Sequence, residues 1–187
     1  MIQPKEIIRV GIILFVITAL SALLLALGNY ITSPLIAENG RINTEKSMQT
    51  VFADAASFEK TDYAAKSVVE AYIAKDSANE TIGACVITEQ NGYGGAVKVL
   101  TGVDKDGKIT GVEILSHSET PGLGAEATKP EFKVQFEGKT KNIGVSRGKA
   151  SGNEIDALSG ATITSKAVTN AVNLAVDSAE QLLSQVQ

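Results

Sequence analysis

With 187 residues, 44% of them apolar and 20% charged, the chain has room for one folded domain of ordinary size and a little more. A formal net charge of -4 argues against a nucleic-acid surface. The single cysteine, Cys85, excludes an internal disulfide and cannot alone hold a structural zinc or an iron-sulfur cluster, so no metal site is expected.

The first element is apolar. From Val10 to Ala37 there is no charged residue, and the stretch "VGIILFVITALSALLLAL" is almost unbroken helix former. About 20 such residues span roughly 30 Å of hydrocarbon, which predicts a transmembrane helix over residues 10–30. The rival is a cleavable signal peptide, since Ala26-Leu27-Gly28 has the small-x-small spacing of a cleavage site. The run exceeds the usual signal core of about 7 to 15 residues, which favours the anchor. Lys5, Arg9 and the terminal amine, opposed only by Glu6, place residues 1–9 in the cytoplasm and the rest outside; the alternative is a domain facing the cytoplasm. Gly11, Thr18, Ser21, Ala22 and Gly28 are small enough for close packing against another helix, or they face lipid.

Residues 31–78 are expected to form a helical stalk and cover, with short helices from Leu35 to about Phe52 and from Tyr63 to Ala74. Composition then shifts: all of the 17 glycines except Gly11, Gly28 and Gly40 lie beyond residue 80. Residues 79–187 are expected to be the binding domain. The stretch from Thr81 to Leu115 predicts a three-stranded meander turning at Asn91-Gly92 and Asp106-Gly107, with Val97, Val99, Thr101 and Val103 on one face. Cys85, in "IGACVITE", reads as a buried strand residue of this meander. Ile143 and Val145 suggest a further short strand. A closing helix is predicted from about Ser165 to Leu183, with Val168, Val172, Ala175, Ala179 and Leu182 as its apolar stripe. The fold class is therefore α+β, an antiparallel sheet with flanking helices behind one transmembrane helix.

Two loops carry chemistry. "SHSETPGLGAE" gathers the only histidine, His117, with Glu119, Thr120, Pro121, Gly122, Leu123 and Gly124; glycine admits close approach of a ligand and proline fixes the turn. The plain alternative is a loop after a strand with a solvated histidine. In "DALSGATITSKAV" the hydroxyls of Ser159, Thr162, Thr164 and Ser165 precede the last helix, whose free N–H groups and dipole favour a phosphate. Ordinary helix capping explains the same hydroxyls. The residues alone leave both readings open. Neither a Walker-type loop nor a G-x-G-x-x-G fingerprint is present.

The string formed by Asp156 and Ser159-Gly160-Ala161-Thr162 ahead of the final helix resembles the flavinylation motif of the FMN-binding domain family, and Glu119–Gly124 resembles that family's flavin-facing loop. With the anchor, the whole chain is similar to the G subunits of the Rnf electron-transport complexes and, more distantly, to the C subunits of sodium-pumping NADH:quinone oxidoreductases. The resemblance implies FMN held as a phosphoester on Thr162, installed by a separate flavin transferase that cleaves FAD, with Ser159, Gly160, Ala161, Ile163, Thr164 and Lys166 around the phosphate. It implies that the loop from Glu119 to Gly124 packs on the isoalloxazine, with His117 beside it. The expected function is a membrane-anchored one-electron relay without catalytic residues of its own. It would serve in a complex that passes electrons between ferredoxin and NAD and couples them to Na+ or H+ movement. Expected partners are the other subunits, especially a neighbouring flavin-bearing membrane protein of the complex, in a bacterial or archaeal cell membrane. A tether without redox function and an anchored flavin reductase are the competing classes.

Overall fold

The computed structural model describes residues 4–63 and 65–186. The chain divides into two compact units, Met1–Asn43 and Thr44–Gln187. Helix α1 (Pro4–Val51) provides the described part of the first unit and opens the second. Among the described residues it is the one helix long and apolar enough to cross a membrane. Its side chains from Val10 to Ile36, Leu14, Phe15, Leu23 and Leu25 among them, are exposed where described. At about 25 cal/mol per Å² of apolar surface, such a face is strongly unfavourable in water and is satisfied by hydrocarbon.

The second unit is built on a five-stranded antiparallel meander in the order β1 (Ser57–Thr61), β2 (Val68–Lys75), β3 (Thr81–Asn91), β4 (Ala96–Asp104) and β5 (Ile109–Ser116). The Asn91-Gly92 and Asp106-Gly107 turns fall between β3, β4 and β5 as the turn chemistry requires. Gly107 has φ +76°, and Asp104 fixes its turn by accepting the amides of Asp106 and Lys108 at 2.9 and 2.8 Å.

The expected helix from Tyr63 to Ala74 is instead largely strand β2, and β1 precedes it in a stretch expected to be helical. The difference has a physical cause. Val68, Val69, Tyr72 and Ile73 satisfy a helical spacing, but they are β-branched or aromatic and alternate in burial, with Ala71 and Ile73 facing the core. What decides is pairing: β2 is hydrogen-bonded to β1 on one side and β3 on the other. The helix expected from Leu35 to about Phe52 is not separate but the continuation of α1 to Val51.

Alternation divides the sheet into two apolar faces. Ala84 and Val86 of β3 and Val97, Val99 and Val103 of β4 pack under α3 (Thr162–Val186), where the stripe read from sequence, Val168, Val172, Ala175, Ala179 and Leu182, is joined by Ala171 and Val176. The opposite face, with Cys85, Ile87 and Leu100, packs under Met48, Val51, Phe52 and Ala55 at and after the end of α1. Gly83 and Gly111 admit this cover closely: a Cβ at Gly83 would lie 2.5 Å from Phe52 Cζ, and one at Gly111 3.2 Å from Val51 Cα. Burial pushes the Cys85 thiol up to about 12, so it behaves as a small apolar residue.

After β5 the chain runs through a 3-10 turn (Gly124–Thr128), the short helix α2 (Pro130–Lys133) and a second 3-10 turn (Val134–Phe136) that closes one end of the core. Phe132 and Phe136 meet edge to face, 5.6 Å between centroids. The short strands β6 (Gly144–Ser146) and β7 (Glu154–Asp156) then pair in parallel and deliver the chain to α3. Phe136 is fully buried. Replacing it by alanine is expected to destabilise the second unit by about 3 to 5 kcal/mol, read as a lower urea midpoint for the full-length chain in detergent with an unchanged slope.

Candidate functional site

Two turns of one design approach each other. In Thr120-Pro121-Gly122-Leu123 the Leu123 amide donates to the Thr120 carbonyl at 3.1 Å, with proline second and Gly122 third at φ +76°. In Leu158-Ser159-Gly160-Ala161 the Ala161 amide donates to the Leu158 carbonyl at 3.0 Å, with Gly160 third at φ +73°. A positive φ in the third position is the signature of a type II turn, which glycine adopts without strain. A Cβ at Gly160 would lie 3.1 Å from Leu123 Cδ2, so the two turns meet.

A third loop joins them through Glu119. This carboxylate is only 6% exposed. Its Oε1 accepts the amides of Tyr93 and Gly94, in the turn between β3 and β4, at 2.8 and 3.1 Å. Its Oε2 accepts the Thr164 hydroxyl, in the first turn of α3, at 2.7 Å. Burial works to raise the carboxyl, but the hydrogen bonds from Thr164, Gly94 and Tyr93 outweigh it and hold Glu119 below the usual carboxylate range. The space is shaped by glycine: a Cβ at Gly92 would overlap Glu119 Oε1, and one at Gly124 would overlap Oε2 and come within 2.6 Å of Thr164 Oγ1. The Asn91-Gly92 turn was legible in sequence only as a turn. Its glycine density, "NGYGG", is the one local signal of a close approach.

The remaining candidates sort by what they already do. His117 is half-buried, and its Nδ1 accepts the Glu119 amide at 3.2 Å. Thr120 and Pro121 are exposed, as is Leu123, at 45%. Thr164 is 1% exposed and engaged with Glu119. Ser165 is fully buried; its Oγ donates to the Ala161 carbonyl at 3.0 Å and accepts the Leu158 amide at 2.9 Å, stitching the second turn to α3. Asp156 accepts the Ala150 amide at 2.5 Å, while its own amide donates to Gln135. Thr162 is different. It is the half-buried first residue of α3, and among the described residues its hydroxyl has no hydrogen-bond partner.

The start of α3 fits a phosphate. Among the described residues nothing accepts the amides of Thr162, Ile163 and Thr164; the first bond back is Ser165 N to the Ala161 carbonyl at 3.0 Å. The hydroxyls do not cap this helix, so its free donors and the positive end of a 25-residue dipole face outward beside the Thr162 hydroxyl. Lys166, one turn on, is exposed. Ile163, 55% exposed, adds apolar surface in the same turn of the helix, and Tyr93, 75% exposed, lies on the loop that Glu119 ties to it. Phosphate donors beside exposed apolar groups suit an amphipathic nucleotide with a flat apolar ring.

An antiparallel sheet under a long helix with an uncapped start suits a nucleotide-binding domain, and the family described as FMN-binding domain matches residues 92–177. Over most of its length the chain is 41% identical to the G subunit of the Na(+)-translocating ferredoxin:NAD(+) oxidoreductase complex of Acetobacterium woodii, covering 94% of this chain and 92% of that protein. It is 39% identical to the G subunit of the proton-translocating ferredoxin:NAD(+) oxidoreductase complex of Clostridium ljungdahlii, covering 84% and 83%. The chain belongs to this family of G subunits of ion-translocating oxidoreductase complexes. Among solved structures, the C subunit of the Na(+)-translocating NADH-quinone reductase of Parabacteroides distasonis matches with TM-score 0.50 at 29% identity, over 61% of this chain and 62% of that one. The NqrC structure of Shewanella oneidensis, 19% identical with TM-score 0.54 over 72% and 73%, shares the fold.

Because Gly124 sits where a Cβ meets a fixed carboxylate and hydroxyl, Gly124→Ala is expected to destabilise the second unit by about 1 to 3 kcal/mol. Gly148→Ala, where a Cβ meets nothing within 4 Å, is expected to leave the thermal midpoint unchanged. Parallel melts by circular dichroism check the contrast.

Proposed function

We propose that the chain is a membrane-anchored one-electron relay carrying FMN as a phosphoester on Thr162. The observation that carries the assignment is the sorting of hydroxyls: Thr164, Ser165 and Thr169 are engaged, whereas among the described residues Thr162 stands unpartnered at an uncapped helix start. Ser159 is exposed but lies on the turn, outside the helix. The backbone amides of Ile163 and Thr164 and the Lys166 ammonium would hold the phosphate, and Gly160 and Ala161 keep the turn tight beside it. FMN supplies reversible electron transfer, while the protein sets its position and surroundings.

Esterification at the phosphate end leaves the tricyclic end free. It also prevents loss: even a micromolar non-covalent site, about 8 kcal/mol, drains when the domain faces an effectively unlimited volume. The unlimited volume follows from the proposed topology. Residues 1–9 lie in the cytoplasm, 10–30 cross the membrane, and the flavin-bearing part within residues 79–187 lies outside, as the Lys5 and Arg9 bias favours. Maturation requires a flavin transferase that moves FMN from FAD to the Thr162 oxygen with release of AMP. By kinship with the ferredoxin:NAD(+) oxidoreductase subunits, the relay works among the other subunits of such a complex, next to a flavin-bearing membrane neighbour, and contributes to Na+ or H+ translocation. The flavin-reductase reading is disfavoured because its candidate acid and base, His117 and Glu119, are both engaged in hydrogen bonds within the site.

Intact mass and denaturing-gel fluorescence of natively produced protein test this. The wild type and Thr164→Ala are expected to carry the flavin adduct and Thr162→Ala to lack it completely; an adduct surviving in Thr162→Ala overturns the assignment. Protease added to intact cells or spheroplasts is expected to degrade the flavin-bearing part, and full protection overturns the outward placement.

A further inference from the structure

The turn between β3 and β4 reaches the site through one side chain. Of the exposed large apolar residues described beyond residue 80, namely Tyr93, Leu123, Val134 and Ile163, all but Val134 sit on or beside the three segments that Glu119 joins. Tyr93 itself donates its amide to the carboxylate, Ile163 precedes the Thr164 that donates its hydroxyl, and Leu123 follows on the loop that carries Glu119. The Tyr93 loop contains Gly92, Gly94 and Gly95 and is held on this side by those amide bonds. The turn is closed internally by the Gly92 amide donating to the Gly95 carbonyl at 2.8 Å, and because glycine-rich turns are conformationally permissive the external tie to Glu119 adds to its fixing.

We propose that Glu119 is a positioning residue, whose carboxylate clamps the β3–β4 turn to the start of α3 and so holds Tyr93, Leu123 and Ile163 as a single apolar platform for the ring of the flavin. The platform rests on the FMN reading above; the clamp does not. Flat aromatic groups gain most against such a fixed apolar and aromatic surface. The clamp is tied to pH through one charge. The ionisable group that acts on Glu119 is His117 of the same loop, while the β3–β4 turn supplies amides and α3 a hydroxyl. Because the folded carboxyl lies below its usual range, the clamp is complete at neutral pH and is lost only as pH falls through that lowered value.

The test uses the full-length chain in detergent, made with and without flavin. In flavin-free protein, hydrogen exchange at the Tyr93 and Gly94 amides is expected to be at least about tenfold faster in Glu119→Gln than in wild type, since hydrogen bonds to a charged acceptor are the stronger ones. Amides in the middle of α3 are expected to stay protected. Thr164→Val, which keeps the volume and removes one donor, is expected to move the acid-induced loss of protection to higher pH, and Glu119→Gln to abolish that acid step. In flavin-loaded protein, Glu119→Gln is expected to keep the adduct by mass but to brighten flavin emission and reduce its visible circular dichroism at neutral pH; Tyr93→Ala should do the same while Gly94 stays protected. Unchanged exchange at Tyr93 and Gly94 in Glu119→Gln overturns the clamp. Altered exchange with unaltered flavin spectra overturns the platform. A wild type without flavin by mass overturns the cofactor reading and leaves the clamp standing.

Discussion

A buried carboxylate organises this site. Glu119 lies 26 residues from Tyr93 and 45 from Thr164 along the chain, yet its two oxygens draw hydrogen bonds from both. A charge removed from water is strongly unfavourable unless its lone pairs are satisfied. The amides of Tyr93 and Gly94 and the hydroxyl of Thr164 provide that satisfaction, and Gly92 and Gly124 provide the room. The three segments are thus held in one arrangement by the requirement of a single anion.

The same requirement separates roles among residues that look alike. Four hydroxyls crowd the approach to α3, and any of them has the chemistry to cap it. Instead Thr164 turns inward to Glu119 and Ser165 bonds back to Ala161 and Leu158, which among the described residues leaves the helix start uncapped and the Thr162 hydroxyl unpartnered. A helix end with free donors has an unmet demand for an acceptor, and the proposed phosphate ester on the adjacent oxygen would meet it. The helix serves both ends of this argument. Its apolar stripe anchors it across the sheet, and that rigid seat aims its N-terminus at the site.

The sheet shows how local and tertiary information differ. The meander from β3 to β5 and the closing helix were legible because alternation, Asn-Gly and Asp-Gly turns and a 3.6-residue stripe are properties of short windows. Residues 63–74 are ambiguous over such windows, since Val68, Val69, Tyr72 and Ile73 fit a helix as well as a strand in isolation. Only the neighbours β1 and β3 settle the choice, and β1 carries little apolar signal because it is a five-residue edge strand with Glu59 and Lys60 exposed. The cover from the end of α1 was likewise foreseen as helical, but not that one continuous helix runs from the apolar segment to Val51.

By itself the sequence determined the apolar segment, the strand-rich half and two glycine-bearing turns, one of them leading into a cluster of hydroxyls, because hydrophobic period and turn chemistry act over a few residues. It also carried the family resemblance at Ser159–Thr162 and Glu119–Gly124, which the kinship with G subunits matches. Only the tertiary structure decided that Glu119 points inward, that the Tyr93 turn belongs to the site, and which hydroxyl is left without a partner. Those outcomes depend on donors and acceptors brought together across 25 to 45 residues, and no local rule encodes which of several equivalent groups a buried charge will draw.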